Sequence, residues 1–204
     1  MPEDESPAEA PAEEEPQEPA TEVKQERLEA NNGFSGEANE RELQELVANL
    51  NTNILIIGAG GAGNNTLERL YREGIDGVEM LALNTDAQHL LAARVPHRML
   101  IGKQLTKGLG AGAEPHLGEG AAEEARDDLL NACHEADIVF LTGGLGGGTG
   151  TGALPVIARF AKEKQALTIA IVTLPFSNEG ARRAKNAQQG LERLRKVADT
   201  VIVI

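Results

Sequence analysis

Cysteine is almost missing from this 204-residue chain: Cys133 stands alone, so no disulfide can close within one molecule. A reducing compartment, the cytoplasm, is the natural expectation. Long apolar runs are missing too. No stretch approaches the roughly 18 consecutive apolar residues that would span a bilayer. The opening MPEDESPAEAPAEEEPQEPA is the reverse of a basic secretion signal, so neither export nor an integral membrane segment is expected. Basic residues are scarce, 19 Lys and Arg against 32 Asp and Glu, for a formal charge of −13. That deficit is local, because residues 1–50 hold 15 acids and 3 bases, a charge of −12, and the rest of the chain carries −1. A nearly neutral remainder without a basic stripe offers no electrostatic footprint for DNA or RNA, and nucleic acid is not expected as a partner.

Residues 1–38 are rich in Glu, Pro and Ala and nearly devoid of large apolar side chains, a composition that cannot offset the entropy of ordering. They read as a disordered acidic tail. Leu43, Leu46, Val47 and Leu50 then recur at helical spacing, which predicts a short helix over 39–51. From residue 52 onward apolar runs alternate with amphipathic segments. The runs are Ile54–Ile57, Val78–Leu83, Met99–Ile101, Ile138–Leu141, Leu167–Leu174 and Val201–Ile204; long helical patterns fall near 63–73, 115–135, 151–164 and 178–197. Such alternation predicts an α/β domain over 52–204 with a Rossmann-like parallel sheet of about six strands, helices on both faces, and ligands at the carboxyl ends of the strands. The final run, VIVI, has no cap or turn after it and reads as a sheet continued in a longer protein.

Two glycine-rich junctions carry the chemistry. The first run leads into Gly58-Ala59-Gly60-Gly61-Ala62-Gly63-Asn64-Asn65 and then a helix, an arrangement in which free helix amides meet a phosphate. Gly58, Gly60 and Gly63 also satisfy the dinucleotide fingerprint G-x-G-x-x-G, so a nicotinamide enzyme competes at this point, as does a turn that merely packs closely. After the second run, Asn84-Thr85-Asp86-Ala87-Gln88 leaves the choice open: Asp86 could bind ribose hydroxyls, and Asn84, Thr85 or Asp86 could cap a helix.

The second junction, Gly143-Gly144-Leu145-Gly146-Gly147-Gly148-Thr149-Gly150-Thr151-Gly152, has seven glycines in ten residues, an entropic cost that suggests backbone wrapped around a ligand. Thr149 stands where a Walker A loop requires lysine, so such a cradle would rely on amides, hydroxyls and a metal. A valine at Gly150 is expected to block the phosphate and leave the sheet folded. His89, His97, His116 and His134 are scattered without ligand spacing, and no zinc site is expected.

The segment GGLGGGTGTG resembles the signature of the tubulin/FtsZ GTPase family. Further landmarks follow in that family's order: GAGGAGNN, NTDAQ, KGLGAGAEP at 107–115 and VTLPFSNEGARR at 172–183, with the AGNNT form of the first loop closer to its archaeal branch. The resemblance covers about residues 53–204. It implies GTP and GDP as ligands, with Mg2+ expected beside the phosphates. It places Gly61, Ala62, Gly63, Asn64 and Asn65 around phosphates and nucleoside, with Asn84 and Asp86 nearby. Gly147, Gly148, Thr149, Gly150, Thr151 and Gly152 would hold phosphate oxygens, and Gly110, Ala111 and Gly112 would sense the γ-phosphate. Glu179 and Arg183 would contact ribose and nucleotide, although an i,i+4 helical ion pair explains the same two residues.

The resemblance further implies a self-assembling cell-division protein of the cytoplasm, placed at a mid-cell ring with division-site anchoring proteins. In its head-to-tail homopolymer an acidic loop of the next subunit completes GTP hydrolysis. That loop and the guanine-reading helix are expected beyond Ile204, leaving no catalytic residue in this chain and little hydrolysis by it alone.

Overall fold

The computed structural model describes residues 40–41 and 52–204. The tail expected over 1–38, and the helix expected over 39–51 apart from Glu40 and Arg41, lie outside the described residues.

Within 52–204 six strands form one sheet: β1 (Ile54–Ala59), β2 (Val78–Asn84), β3 (His97–Leu100), β4 (Ile138–Gly144), β5 (Leu167–Thr173) and β6 (Thr200–Val203). Their order is β3-β2-β1-β4-β5-β6, and every neighbouring pair runs parallel. The chain moves outward from β1 to β3, then returns beside β1 with β4. This reversal opens a crevice at the carboxyl ends of β1 and β4, where ligands of doubly wound sheets bind. In register, Ala59 at the end of β1 faces Gly143 of β4.

Alternation along the strands divides the core. Leu55 and Ile57 of β1, with Leu81 and Leu83 of β2, belong to one apolar cluster; Ile56, Met80 and Ala82 point into the other. The first cluster is sealed by α3 (Pro115–Glu124), α4 (Arg126–Ala132), α5 (Thr149–Glu163) and α6 (Ala181–Arg195). The second is sealed by α1 (Gly60–Glu73) and α2 (Ala87–Ala92), with Leu67 and Leu90 fully or nearly fully buried. On this second face cover thins toward the far edge, where Ile169 and Ile171 of β5 are only partly buried and Ile202 of β6 is 46% exposed.

The single helix expected over 115–135 is two helices. Ala125, at φ −93° and ψ 21°, leaves helical geometry between them. Apolar periodicity survives a bend of this kind because Ala121, Ala122, Leu129 and Cys133 still face the core on both sides of it. Arg126 of α4 and Arg159 of α5 lie over the buried Phe160 ring, 4.9 and 5.0 Å from its centroid, and pair with Glu163 and Glu123. Arg126 with Phe160 and Glu163 ties α4 to α5, and Arg159 with Glu123 ties α5 to α3, so both sides of the bend are held.

At the opposite ends of the strands, acidic side chains finish the sheet. Asp137 Oδ2 accepts from the Asn53 amide at 2.8 Å, and Asp199 Oδ2 accepts from the Thr168 amide at 2.9 Å while its other oxygen meets Lys162 at 3.0 Å. These bonds satisfy amides that the ladder does not reach.

Candidate functional site: two helix starts facing one cavity

α1 begins at Gly60 directly after β1, and α5 begins at Thr149 four residues after β4. The sequence permits the abrupt start of α1 because Gly60 takes φ 72°, where a side chain would be strained. Neither helix has a side-chain cap or an acidic residue in its first turn. The amides of Gly60, Gly61 and Ala62, and of Thr149, Gly150 and Thr151, precede the first i−4 bond of their helices; in α5 that bond runs from Gly152 N to Gly148 O at 3.0 Å. Both positive helix ends open on one cavity of about 410 Å³ at the carboxyl ends of β1, β4 and β5. Uncapped amides and two helix dipoles converging there make the cavity an anion site by its chemistry. A larger cavity of about 680 Å³ lies at the amino ends of β1 and β2, beside the carboxyl end of α4. Among the described residues no helix start faces it, so the smaller one carries the chemical argument.

The cavity wall holds Gly61, Ala62, Gly112, Gly147, Gly148, Thr149, Gly150, Glu179 and Arg183 of the sequence candidates. Thr149 Oγ1 lies 2.7 Å from the buried Thr85 hydroxyl, which fixes its direction. Glu179 and Arg183 are ion-paired at 2.5 Å. They do not share a helix, however: Glu179 ends a short 3-10 turn (Ser177–Glu179), and Gly180 at φ 95° separates it from α6. The Phe176 amide, 2.8 Å from Glu179 Oε1, and then Arg183 hold the Glu179 carboxyl below the usual carboxylate range.

The remaining candidates stand outside the wall. Gly63 is a packing residue, since a Cβ there would come 2.5 Å from Thr142 O. Asn64 is fully buried; with its amide nitrogen turned inward, its two hydrogens are shared among Gly58 O, Gly60 O and Leu83 O, all within 3.2 Å, and its oxygen accepts from Asn84 Nδ2 at 3.2 Å. Asn65 is exposed on α1. Asn84 turns its oxygen to the Thr85 and Asp86 amides at 2.9 and 3.2 Å, and Asp86 caps α2 by accepting from the His89 amide. The capping alternative thus describes Asp86, while Asn84 holds the turn that precedes α2. Gly110 donates its amide to Thr85 O at 3.0 Å, and Ala111 is buried beneath Gly148. Thr151 accepts from the Gly146 amide at 2.8 Å, and Gly152 meets α3, where a Cβ would fall 1.9 Å from Pro115 O.

The ten-residue glycine segment is therefore not one loop. Gly143 and Gly144 end β4, Leu145–Gly148 make the turn, and Thr149–Gly152 open α5. Most of its glycines answer backbone contacts: a Cβ would meet Ala59 O at 2.9 Å from Gly143, Ala111 O at 2.6 Å from Gly148 and Gly144 O at 2.7 Å from Gly150. Only around Gly147 is there nothing within 4 Å. The expectation that a valine at Gly150 would leave the fold intact is accordingly corrected: its first carbon already collides with backbone. Sequence reasoning also passed over Ala59, Gly60, Gly144, Leu145, Thr173, Leu174 and Pro175, all in the wall. Thr173 ends β5 and Leu174 and Pro175 follow it, and the rule that ligands gather at the carboxyl ends of strands pointed to them.

Residues 53–204 match the Tubulin/FtsZ family, GTPase domain. The chain is 56% identical over 181 residues to the cell division protein FtsZ 1 of Archaeoglobus fulgidus, a match covering 89% of this chain and 48% of that protein. Among solved structures, an empty FtsZ dimer from M. jannaschii superimposes with a TM-score of 0.77 at 51% identity, covering 81% of this chain and 48% of that one. A GDP-bound monomer of CetZ1 from Haloferax volcanii gives 0.69 at 32% identity, over 75% and 51% of the two chains. The chain spans about half the length of the relatives it matches. With its six parallel strands and a matched segment running from residue 53 to residue 204, the chain belongs to the tubulin/FtsZ family.

Proposed function

We propose that residues 52–204 form a GTP- and GDP-binding domain whose phosphates lie in the cavity between the start of α1 and the start of α5. The observation that carries this reading is the pair of uncapped helix N-termini, free of acidic residues, opening on the same 410 Å³ space. Phosphate oxygens would take up the amides of Gly61 and Ala62 on one side and of Thr149 and Gly150 on the other. Glu179 and Arg183, at the end of the wall nearest β5, would reach the ribose and nucleotide. Gly112, from the 107–115 loop, would face the γ-phosphate.

Among the described residues no group of three His, Cys, Asp or Glu is placed to hold a metal. The Thr149 hydroxyl, in the cavity wall, is the protein group that would help hold Mg2+ beside the phosphates. When bound, the ion neutralises phosphate charge; the protein residues hold and orient the nucleotide.

Beyond binding, the reading is of a self-assembling cell-division GTPase in the cytoplasm, at a mid-cell ring with anchoring partners. Hydrolysis would be completed in a head-to-tail filament when an acidic loop of the adjacent subunit meets the γ-phosphate. That loop, and the helix that reads guanine, would lie in the half of the relatives' length that this chain does not span. Residues 1–38 would be dispensable for nucleotide binding.

Titration calorimetry with GTP, GDP and ATP, with and without Mg2+, tests the binding. GTP and GDP should bind one site and Mg2+ should favour GTP; failure of both guanine nucleotides to bind, or binding undisturbed by Arg183→Ala, would overturn it. The filament reading is tested by adding the chain to an assembling family member with a compatible interface. It should join one end, offer no acidic-loop face to the next subunit, and lower polymer mass and phosphate release; unchanged assembly would count against it.

A further inference from the structure

α6 lies behind the cavity wall, and two of its side chains reach across to the 107–115 loop. Asn186 is half-buried and spends both hydrogens of its one amide group: Nδ2 donates to Ala113 O at 3.0 Å and to Gly146 O at 3.3 Å. Each acceptor stands one residue from a glycine of the wall, Ala113 beside Gly112 and Gly146 beside Gly147. Those two stretches also meet directly, where Gly148 N donates to Gly112 O at 2.9 Å. One turn earlier on α6, Arg182 pairs with Glu114, the loop's next residue, whose other oxygen lies 3.5 Å from His116 Nδ1. At its other end the loop is bonded to the β2–α2 turn through Gly110 N to Thr85 O and Ala87 N to Gly108 O, both 3.0 Å.

We propose that Asn186 is a positioning residue for the nucleotide: its amide ties the 107–115 loop to the glycine turn before α5, so that Gly112 and Gly147 are presented to the phosphates as one wall. This rests on the nucleotide-binding reading above and deepens it. The physical case is that two backbone carbonyls on separate segments would otherwise repel each other, and a single two-hydrogen donor between them fixes their separation. An aspartate of the same size would place oxygen against both carbonyls and drive the segments apart. Loss of such a bond lowers affinity about two- to tenfold. Because Gly112 is the element read as facing the γ-phosphate, the change should fall on GTP more than on GDP.

The test measures GTP and GDP affinities of the 204-residue chain and of Asn186→Ala, Asn186→Asp and Arg182→Ala, with amide hydrogen exchange over 110–114 as a second readout. The expected result is a GTP to GDP affinity ratio about five- to tenfold lower in Asn186→Ala and lower still in Asn186→Asp. Arg182→Ala should move the ratio the same way by less. GTP should slow exchange over 110–114 in the parent chain and not in the Asn186 variants, while exchange in β1 and β4 stays unchanged. A purely structural asparagine would shift the melting temperature and both nucleotides alike. A preserved ratio with preserved protection of 110–114 overturns the positioning role alone. A parent chain that binds neither nucleotide overturns the underlying reading, and the positioning role with it.

Discussion

Gly147 and Gly150 stand three residues apart at the start of α5, and both face the cavity. The same substitution at each should give opposite results. At Gly150 an added Cβ would lie 2.7 Å from Gly144 O and 3.2 Å from Ala59 O, so Gly150→Val must displace backbone where β1, β4 and α5 meet. Overpacking of that kind costs about 1–3 kcal/mol, which for a domain of this size lowers the melting temperature by roughly 2–12 °C. At Gly147 nothing lies within 4 Å of an added Cβ, and its φ is outside the left-handed region. Gly147→Val should therefore change stability by no more than about 0.5 kcal/mol, within the range of ordinary surface substitutions. Its isopropyl group would instead occupy the space that the proposed function assigns to the phosphates, and about 1–3 kcal/mol of steric cost in the complex is roughly a five- to hundredfold loss of GDP affinity. Thermal melts without nucleotide and calorimetric titration with GDP, on both variants and the parent, separate the two effects. Unaltered GDP affinity in a folded Gly147→Val would refute the assignment of phosphates to this cavity. A Gly150→Val variant as stable as the parent would refute the packing account.

Acid should loosen two ties. The Glu179 and Asp199 carboxyls are each held below the usual range by an accepted backbone N–H first and a basic side chain second. Their stabilising contributions are complete above the ordinary carboxylate pKa and disappear as pH falls through the lower folded values. NMR titration should show both carboxyls protonating later than free carboxylates; Arg183→Ala should move Glu179 back toward the ordinary value, and no movement would contradict the pairing. Burial pushes the Cys133 thiol up to about 11. Labelling by a thiol reagent at neutral pH should track global unfolding, and fast labelling of the native chain would contradict that burial.

Much of the fold was legible because a parallel sheet buried on both faces writes itself as short apolar runs: all six runs became strands, shifted by one to three residues. Ala125 was not legible, since a bend that keeps apolar residues facing inward leaves periodicity intact. At the site, glycine density located both helix starts. It could not separate glycines that border a ligand space, such as Gly147, from those that let backbones touch, such as Gly63, Gly143 and Gly152, because either requirement removes the same side chain. Likewise, Asn64 and Asp86 are polar residues near a phosphate-type loop in sequence, yet their side chains bond to backbone. Pro175 and its neighbours were within a quoted motif, but an apolar strand end carries no chemical label.

The near-contact of α3 with the start of α5 has a consequence for genetics. Backbone meets backbone there, at Gly118 against Gly148 O and Gly152 against Pro115 O. Any missense change at those glycines brings in a side chain where no atom fits. A loss-of-function screen sweeping this stretch would collect alleles at Gly118, Gly148 and Gly152 that fail through misfolding and temperature sensitivity rather than through lost ligand. Suppressors of such alleles should therefore arise as general stabilisers scattered over the domain, whereas suppressors of Gly147 alleles should cluster around the cavity.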